Sequence, residues 1–250
     1  MAGEPGLSEL HERTESIRWI AFDAVGTLIF PVPPVWAVYH RVARSHGSRQ
    51  SETEIGQRFR DTFRECEEDD LGKSTDWTRP DRLTADEGRE QHRWRRIVAN
   101  VINDVDDPES CFVELFDYFA GPSAWKCFPE VDEVLKTLHR ARYRLSVASN
   151  FDSRLDALCD GLPELGPIEL RVISSQVGYR KPSLHFYRAL AAAADCQPAE
   201  ILMVGNDFQN DILGAQQAGL QTLFVQRNSP ATASGQIANV RQLVDLLGSR

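Results

Sequence analysis

The chain alternates short, unbroken apolar runs with longer amphipathic stretches. The run Trp19-Ile-Ala-Phe22 stops at Asp23 and is followed by the breaker pair Gly26-Thr27, a pattern that fits a short buried strand with Asp23 at its carboxyl end. Residues 144–149, 171–174, 201–204 and 221–225 repeat this grammar, each separated from the next by enough chain for a helix. Such alternation predicts parallel strands with crossover helices, an α/β doubly wound parallel sheet. Helices are predicted at 184–194, after Pro182-Ser183, at 211–218 and at 240–247.

Between residues 32 and 125 the character changes. Strand-like runs become scarce and charged residues dense, while apolar residues fall three or four apart, as in Val35, Val38, Tyr39, Val42 and in Trp94, Ile97, Val98, Val101. This spacing puts one apolar stripe on each of several helices. The expected organisation is a core of residues 1–31 and 126–250 with a helical cap of residues 32–125. Pro31-Val-Pro-Pro34 and Gly121-Pro122 are the candidate hinges, because proline ends regular pairing. A stretch rich in Ser, Thr, Ala and Gly at 228–236 reads as a loop.

Composition narrows the partners. With 250 residues and 42% hydrophobic content the chain can bury a substantial core, which excludes a disordered or fibrous protein. Its 37 acidic residues against 28 basic give a formal charge of −9, so a nucleic-acid backbone would meet net repulsion and is not an expected partner. The five cysteines are widely spaced with no Cys-x-x-Cys pair and are expected to be reduced thiols, not zinc ligands. Glu4, Glu9, Glu12, Arg13 and Glu15 interrupt any apolar signal core near the start. No apolar run approaches the roughly 18 residues that a membrane span needs. The expectation is a cytoplasmic protein with no membrane partner.

Open parallel sheets bind their ligands outside the carboxyl ends of the strands. The polar residues found there, in order, are Asp23, Ser149-Asn150, Lys181, and Asn206-Asp207 with Asp211. They lie in Phe22-Asp-x-x-Gly-Thr-Leu28, Ala148-Ser-Asn150, Gly178-Tyr-Arg-Lys-Pro182 and Val204-Gly-Asn-Asp-x-x-Asn-Asp-x-x-Gly-Ala215. Taken singly, each segment could be a turn, a helix cap or a solvent-facing lysine. Together and in this order they make the chain resemble the haloacid dehalogenase-like superfamily, over about residues 18–31 and 126–227.

That resemblance implies a Rossmann-like core with a helical cap inserted after the first motif, and a hydrolase. It implies Asp23 as a nucleophile that forms an acyl-phosphate, splitting one difficult displacement into two. Lys181 would offset the negative charge of nucleophile and substrate, with Thr27, Ser149 and the Asn150 backbone amide around the phosphoryl group. Mg²⁺ would sit on Asp23, the carbonyl of Val25 and a fourth-motif ligand, Asn206 or Asp207, with Asp211 adjacent; oxygen-only sets of this kind suit the ion.

One position departs from the pattern. Phosphatases of the family carry a second Asp two residues after the nucleophile, which protonates the leaving alcohol, and here that residue is Val25. General acid–base assistance contributes roughly 10²- to 10⁴-fold, and valine exchanges no proton. Three readings follow. The first is a Mg²⁺-dependent phosphatase for a small phosphorylated metabolite, either slow or with a cap Glu, Asp or His in the acid's place. The second is a metal-independent 2-haloacid dehalogenase, whose halide leaves without a proton, with a cap Arg such as Arg41 holding the carboxylate. The third is a non-catalytic binding protein that keeps the fold. Trp36, Tyr39, Arg41 and Arg44 follow the first hinge and are candidates to face the site. The short chain between Asn150 and Lys181 leaves little room for a second cap, which favours a small-molecule substrate over a macromolecule.

Overall fold

The computed structural model describes residues 16–72, 77–79, 83–227 and 235–247. In chain order, β1 (Trp19–Phe22) and β2 (Ile29–Pro31) precede four helices, α1 (Val35–Ser45), α2 (Glu52–Leu71), α3 (Glu87–Val101) and α4 (Pro108–Ala120). Then come β3 (Trp125–Cys127), α5 (Val131–Arg140), β4 (Arg144–Ser149), α6 (Arg154–Gly161), β5 (Leu170–Ile173), α7 (Ser174–Val177) and α8 (Leu184–Ala194). The chain ends with β6 (Ile201–Gly205), α9 (Gly214–Gln217), β7 (Gln221–Val225), β8 (Gln236–Ile237) and α10 (Arg241–Leu247).

Six strands form one parallel sheet in the order β5-β4-β1-β6-β7-β8. Successive side chains of a strand point to opposite faces, and β1, at the centre, serves both. Ile20 and Phe22 pack with α5, α6 and α10, whereas Trp19 and Ala21 pack with α8. This two-sided burial explains the unbroken apolar run. The apolar stripe of α5, Val131, Val134, Leu135 and Leu138, repeats at helical spacing and lies wholly against the sheet.

The doubly wound α/β architecture is the expected one, and three of its strands were not. The short β2 and β3 pair antiparallel, Ile29 to Cys127 and Pro31 to Trp125, where the sequence offered only proline hinges. Three residues are too few to display a period, and Pro31 is tolerated because its strand has one partner. Gln236 belongs to β8 at the sheet edge and not to a loop; the rest of the expected loop, from 228 to 234, lies outside the described residues. The helix expected at 211–218 begins instead as a wide π-helical turn, Phe208–Leu213, that runs into α9. There the Tyr187 hydroxyl donates to the Asn210 carbonyl, a side chain competing for a helical acceptor.

Helices α1 to α4 build their own apolar cluster from Val38, Tyr39, Val42, Ile55, Ile97 and Val101 among others. Their starts are capped by side chains, with a reciprocal Ser51–Glu54 box on α2, Asp86 on α3, and Asp107 with Pro108 on α4. The chain leading into α3 is bonded to the Lys181 loop: Arg180 N donates to Leu83 O at 2.7 Å and Ala85 N to Gly178 O at 2.9 Å. Arg180 reaches Glu90 of α3 at 2.5 Å and Glu67 of α2 at 3.2 Å. The helical layer is thus tied to the same segment that carries Lys181.

Leu190 on α8 is fully buried at 0% exposure and Val113 on α4 is 48% exposed. Leu190→Ala is expected to cost about 2–5 kcal/mol of unfolding free energy and Val113→Ala less than about 0.5 kcal/mol. Urea titration followed by circular dichroism checks this, and equal losses would contradict the layer assignment.

Candidate active site

Asp23 follows β1 directly, and its backbone N–H still donates to Val204 O of the neighbouring strand at 2.9 Å. Ser149 ends β4, Lys181 lies beyond α7, and Asp211 sits in the turn after β6, so three strand ends converge on one point. Lys181 Nζ donates to Asp23 Oδ1 at 2.8 Å, to Asp211 Oδ1 at 2.6 Å and to the Ala148 carbonyl at 2.8 Å. Ser149 Oγ donates to the same Asp23 Oδ1 at 3.0 Å. Asp23 Oδ2 takes no hydrogen bond from the described residues.

Burial would normally drain the charge from Lys181, yet Asp211 and Asp23 more than offset it and hold the amine protonated, well above its ordinary range. One lysine cannot fully neutralise two carboxylates, of which Asp211 is completely buried and Asp23 partly so. Burial, reinforced by the charge of Asp23, pushes the Asp211 carboxyl up to about 7 against the pull of Lys181. Asp211 fits beneath the strand end only because residue 205 is glycine; a Cβ there would lie 2.1 Å from Asp211 Oδ2.

The expected site residues divide into those at the cavity and those behind it. Asp23, Val25, Ser149, Asn150, Lys181, Asn206, Asp207 and Asp211 all line one cavity of about 440 Å³. Thr27 does not: it is fully buried and its hydroxyl donates to Asn206 Oδ1 at 2.8 Å. Thr27, expected around the phosphoryl group, thus stands behind the cavity wall with its hydroxyl given to a neighbouring side chain. Asp207 spends its carboxylate as a helix cap, Oδ1 accepting from Gln209 N and Asn210 N and Oδ2 from Asn210 Nδ2. Asn206 instead leans over the first-motif loop, close enough that a Cβ on Gly26 would meet its Nδ2 at 2.5 Å. The Asn150 side chain clamps the Lys181 backbone, donating to Lys181 O at 3.0 Å and accepting from Lys181 N at 2.7 Å.

Of the four candidates after the first hinge, only Tyr39 lines the cavity. Arg41 stacks over Tyr118 at 4.8 Å, Arg44 Nη1 donates to Ser48 O at 2.9 Å, and Trp36 is exposed. The helical-layer carboxylates that do reach the cavity are Glu67 and Glu90, both ion-paired with Arg180, and no histidine lines it among the described residues. Val25 stands at its mouth, 37% exposed.

Two arginines that the motifs did not flag organise the surroundings. Arg227, after β7, donates to the carbonyls of Gly26 and Thr27 at 3.1 and 2.6 Å, pairs with Glu130 at 2.6 Å and covers Phe128. Arg154 is held by buried Asp152 at 2.8 Å, stacks on Phe116 of α4 and lines the cavity. Arg227's partners are distant in the chain, whereas Arg154 is paired with Asp152 two residues before it and meets the distant Phe116. Burial pushes the thiols of Cys111 and Cys159 up to about 11 and that of Cys127 up to about 12, so these cysteines stay protonated and unsuited to metal or nucleophilic work.

The sequence profile described as haloacid dehalogenase-like hydrolase matches residues 17–219. The chain belongs to the haloacid dehalogenase-like hydrolase family. It is 23% identical over 220 residues to a Bos taurus haloacid dehalogenase-like hydrolase domain-containing protein 3, covering 86% of this chain and 84% of that one. Over 101 residues it is 34% identical to a glyceraldehyde 3-phosphate phosphatase of Methanothermobacter thermautotrophicus, covering 39% of this chain and 44% of the other. Among solved structures, the Bacillus subtilis HAD-hydrolase YfnB bound to magnesium superposes with a TM-score of 0.72 at 14% identity, covering 92% of this chain and 98% of that one. That likeness speaks for the fold. No helix among the described residues of this family member is long and apolar enough to cross a membrane.

Because the folded Asp211 carboxyl lies above its ordinary value of 3.8, it favours folding when protonated. Its contribution is complete below the unfolded value and is lost as pH climbs through about 7. Relative to Asp211→Asn, the wild type should lose stability between about pH 4 and pH 7, on the order of a few kcal/mol. Urea midpoints across that range check the sign, and a pH-independent difference would contradict it.

Proposed function

We propose that this protein is a Mg²⁺-dependent phosphatase of a small phosphorylated molecule, acting through an acyl-phosphate on Asp23. The observation that carries the reading is the pairing of Asp23 with a buried ammonium and a serine hydroxyl on one oxygen, which leaves Oδ2 without a partner. Oδ2 would attack phosphorus, forming the Asp23 Oδ2–P bond as the ester P–O bond breaks. Lys181 and Ser149 would hold the charge that gathers on the phosphoryl oxygens, and Asn150 would keep the Lys181 loop in register. Water would then attack phosphorus, releasing phosphate and returning the Asp23 carboxylate.

Mg²⁺ usually takes one or two carboxylates, substrate oxygens and several waters, and the donors at hand fit that habit. Asp23, the Val25 carbonyl and the Asn206 side-chain oxygen would hold it. Among the described residues no cluster of three or more His, Cys, Asp or Glu side chains offers a denser cage. Asn206 is the better supported fourth-motif ligand, because its side chain leans over the loop that carries the Val25 carbonyl. The ion would supply charge neutralisation of the phosphate. Residues 32–125 would act as the cap, whose helices wall the cavity above Asp23 and exclude water during transfer.

The glyceraldehyde 3-phosphate phosphatase among the relatives supports a phosphorylated substrate. For the dehalogenase reading, which called for a cap Arg such as Arg41 to hold the carboxylate, Arg41 itself lies over Tyr118, outside the cavity lining.

With Mg²⁺ and 4-nitrophenyl phosphate, the wild type should release nitrophenol, and Asp23→Asn or removal of the metal should abolish it. Val25→Asp should raise turnover of an alkyl phosphate by about two orders of magnitude or more. A wild type silent on every phosphate ester, with a Val25→Asp variant equally silent, would overturn the reading in favour of a binding protein.

A further inference from the structure

We infer that the site takes the phosphate ester of an acidic, uncharged, ring-bearing alcohol, a phenol or an enol, whose ring lies in an aromatic chamber and whose far oxygen is received by Arg93. The inference rests on the phosphatase reading above and deepens it.

Three independent features converge. The first is the chamber. The cavity that contains Asp23 is walled by Phe59, Phe63, Trp94, Phe112, Phe116 and Trp125, and its volume of about 440 Å³ exceeds what a bare phosphate fills. Polyol substrates would lose water from each hydroxyl against such walls without regaining hydrogen bonds. A ring packs there with its faces and edges matched.

The second feature is Arg93 on α3. It lines the cavity, its side chain is only 10% exposed, and its guanidinium pairs with Glu67 and with Asp70 at 3.2 Å. Its Nη1 is buried and has no hydrogen-bond partner. A buried guanidinium N–H without an acceptor is a standing energetic cost, so an oxygen delivered by a ligand relieves it. The charge of that oxygen follows from the neighbours. Glu67, Asp70 and Glu90 face Arg93 and Arg180 in one network, three carboxylates against two cations. A further anion would be repelled, and a carbonyl, ether or hydroxyl oxygen fits.

The third feature is the missing acid. Val25 holds the position where a proton would be given to the leaving oxygen, and no cavity carboxylate is free to replace it. Glu67 and Glu90 are tied to arginines, Asp207 caps a helix and Asp211 lies under Lys181. The leaving group must then depart as its anion. Asp23 Oδ2 bonds to phosphorus, the P–O bond to the ring oxygen breaks, and that oxygen keeps the electron pair as a phenolate or enolate that takes its proton from water afterwards. Water next adds to phosphorus, the Asp23–P bond breaks, and the released proton goes to solvent. Phenols and enols bear such a negative charge easily; sugar alcohols do not.

The test compares phenyl phosphate with benzyl phosphate, which share the ring and differ in the acidity of the alcohol released. In wild type with Mg²⁺, kcat/KM is expected to favour phenyl phosphate by at least about 100-fold, and Val25→Asp should shrink that gap at least about tenfold. Equal rates for the two esters, or a preference for glycerol phosphate, would overturn the inference while leaving the phosphatase reading standing. Hydrolysis of none of the three would instead remove the phosphatase reading itself. The Arg93 contact is read by binding, through quenching of tryptophan fluorescence from Trp94 and Trp125. Wild type should bind 4-acetylphenylphosphonate about tenfold more tightly than phenylphosphonate, and Arg93→Met should bind the two alike. Should Arg93→Met fail to fold, Arg93→Lys supplies the comparison and should lose most of the acetyl preference. An acetyl preference retained in a folded Arg93 variant would sink the assignment of Arg93.

Discussion

A single buried ammonium holds the site together. Lys181 Nζ joins oxygens from three strand ends, the Asp23 carboxylate, the Ala148 carbonyl and the Asp211 carboxylate. Its own position is fixed twice over. Asn150 grips its backbone through a reciprocal pair of hydrogen bonds, and the preceding residue, Arg180, is bound into the α2 and α3 helices of the helical layer. A cation so far from water survives only because its carboxylate partners outweigh its desolvation. The same accounting leaves Asp211 with a raised pKa, since one positive charge serves two negative ones. The parallel sheet supplies the geometry, and the lysine makes it electrostatically tolerable.

Around that centre the charged groups are already committed, which shapes the chemistry more than the nucleophile does. The helical layer brings carboxylates to the cavity wall, but as partners of arginines. The loop after β1 brings an apolar side chain, Val25, to the cavity mouth beside Asp23. Among the described cavity-lining residues, one oxygen of Asp23, one nitrogen of Arg93 and the Asn210 side-chain oxygen remain without a partner. A largely aromatic chamber with a few unpaired polar atoms at its wall suits a ligand that carries polar groups on an apolar body.

Much of the core is legible in the sequence. Strands buried on both faces leave unbroken apolar runs, and the polar residue that ends each run is forced to the edge of the sheet where ligands bind. Asp23, Ser149, Lys181 and Asp211 could therefore be singled out before any coordinates. The three-residue strands β2 and β3 and the edge strand β8 left no period to detect. The local partners of Thr27 and Asp207 were not legible: their residue types suit a ligand site, and only three-dimensional hydrogen bonding reveals that Thr27 donates to Asn206 and that Asp207 caps a helix. Arg93, Arg154 and Arg227 were invisible because a surface arginine and a buried one look alike in sequence.

The proposed chemistry requires Asp23 to carry the phosphoryl group. Acid quenching of the wild-type protein during turnover of an aryl phosphate, followed by mass spectrometry of its peptides, tests this directly. The expected result is a phosphoryl mass on the peptide containing Asp23, sensitive to mild base and absent from Asp23→Asn. Turnover with no adduct on that peptide, or with a phosphoryl group on another residue, would contradict it.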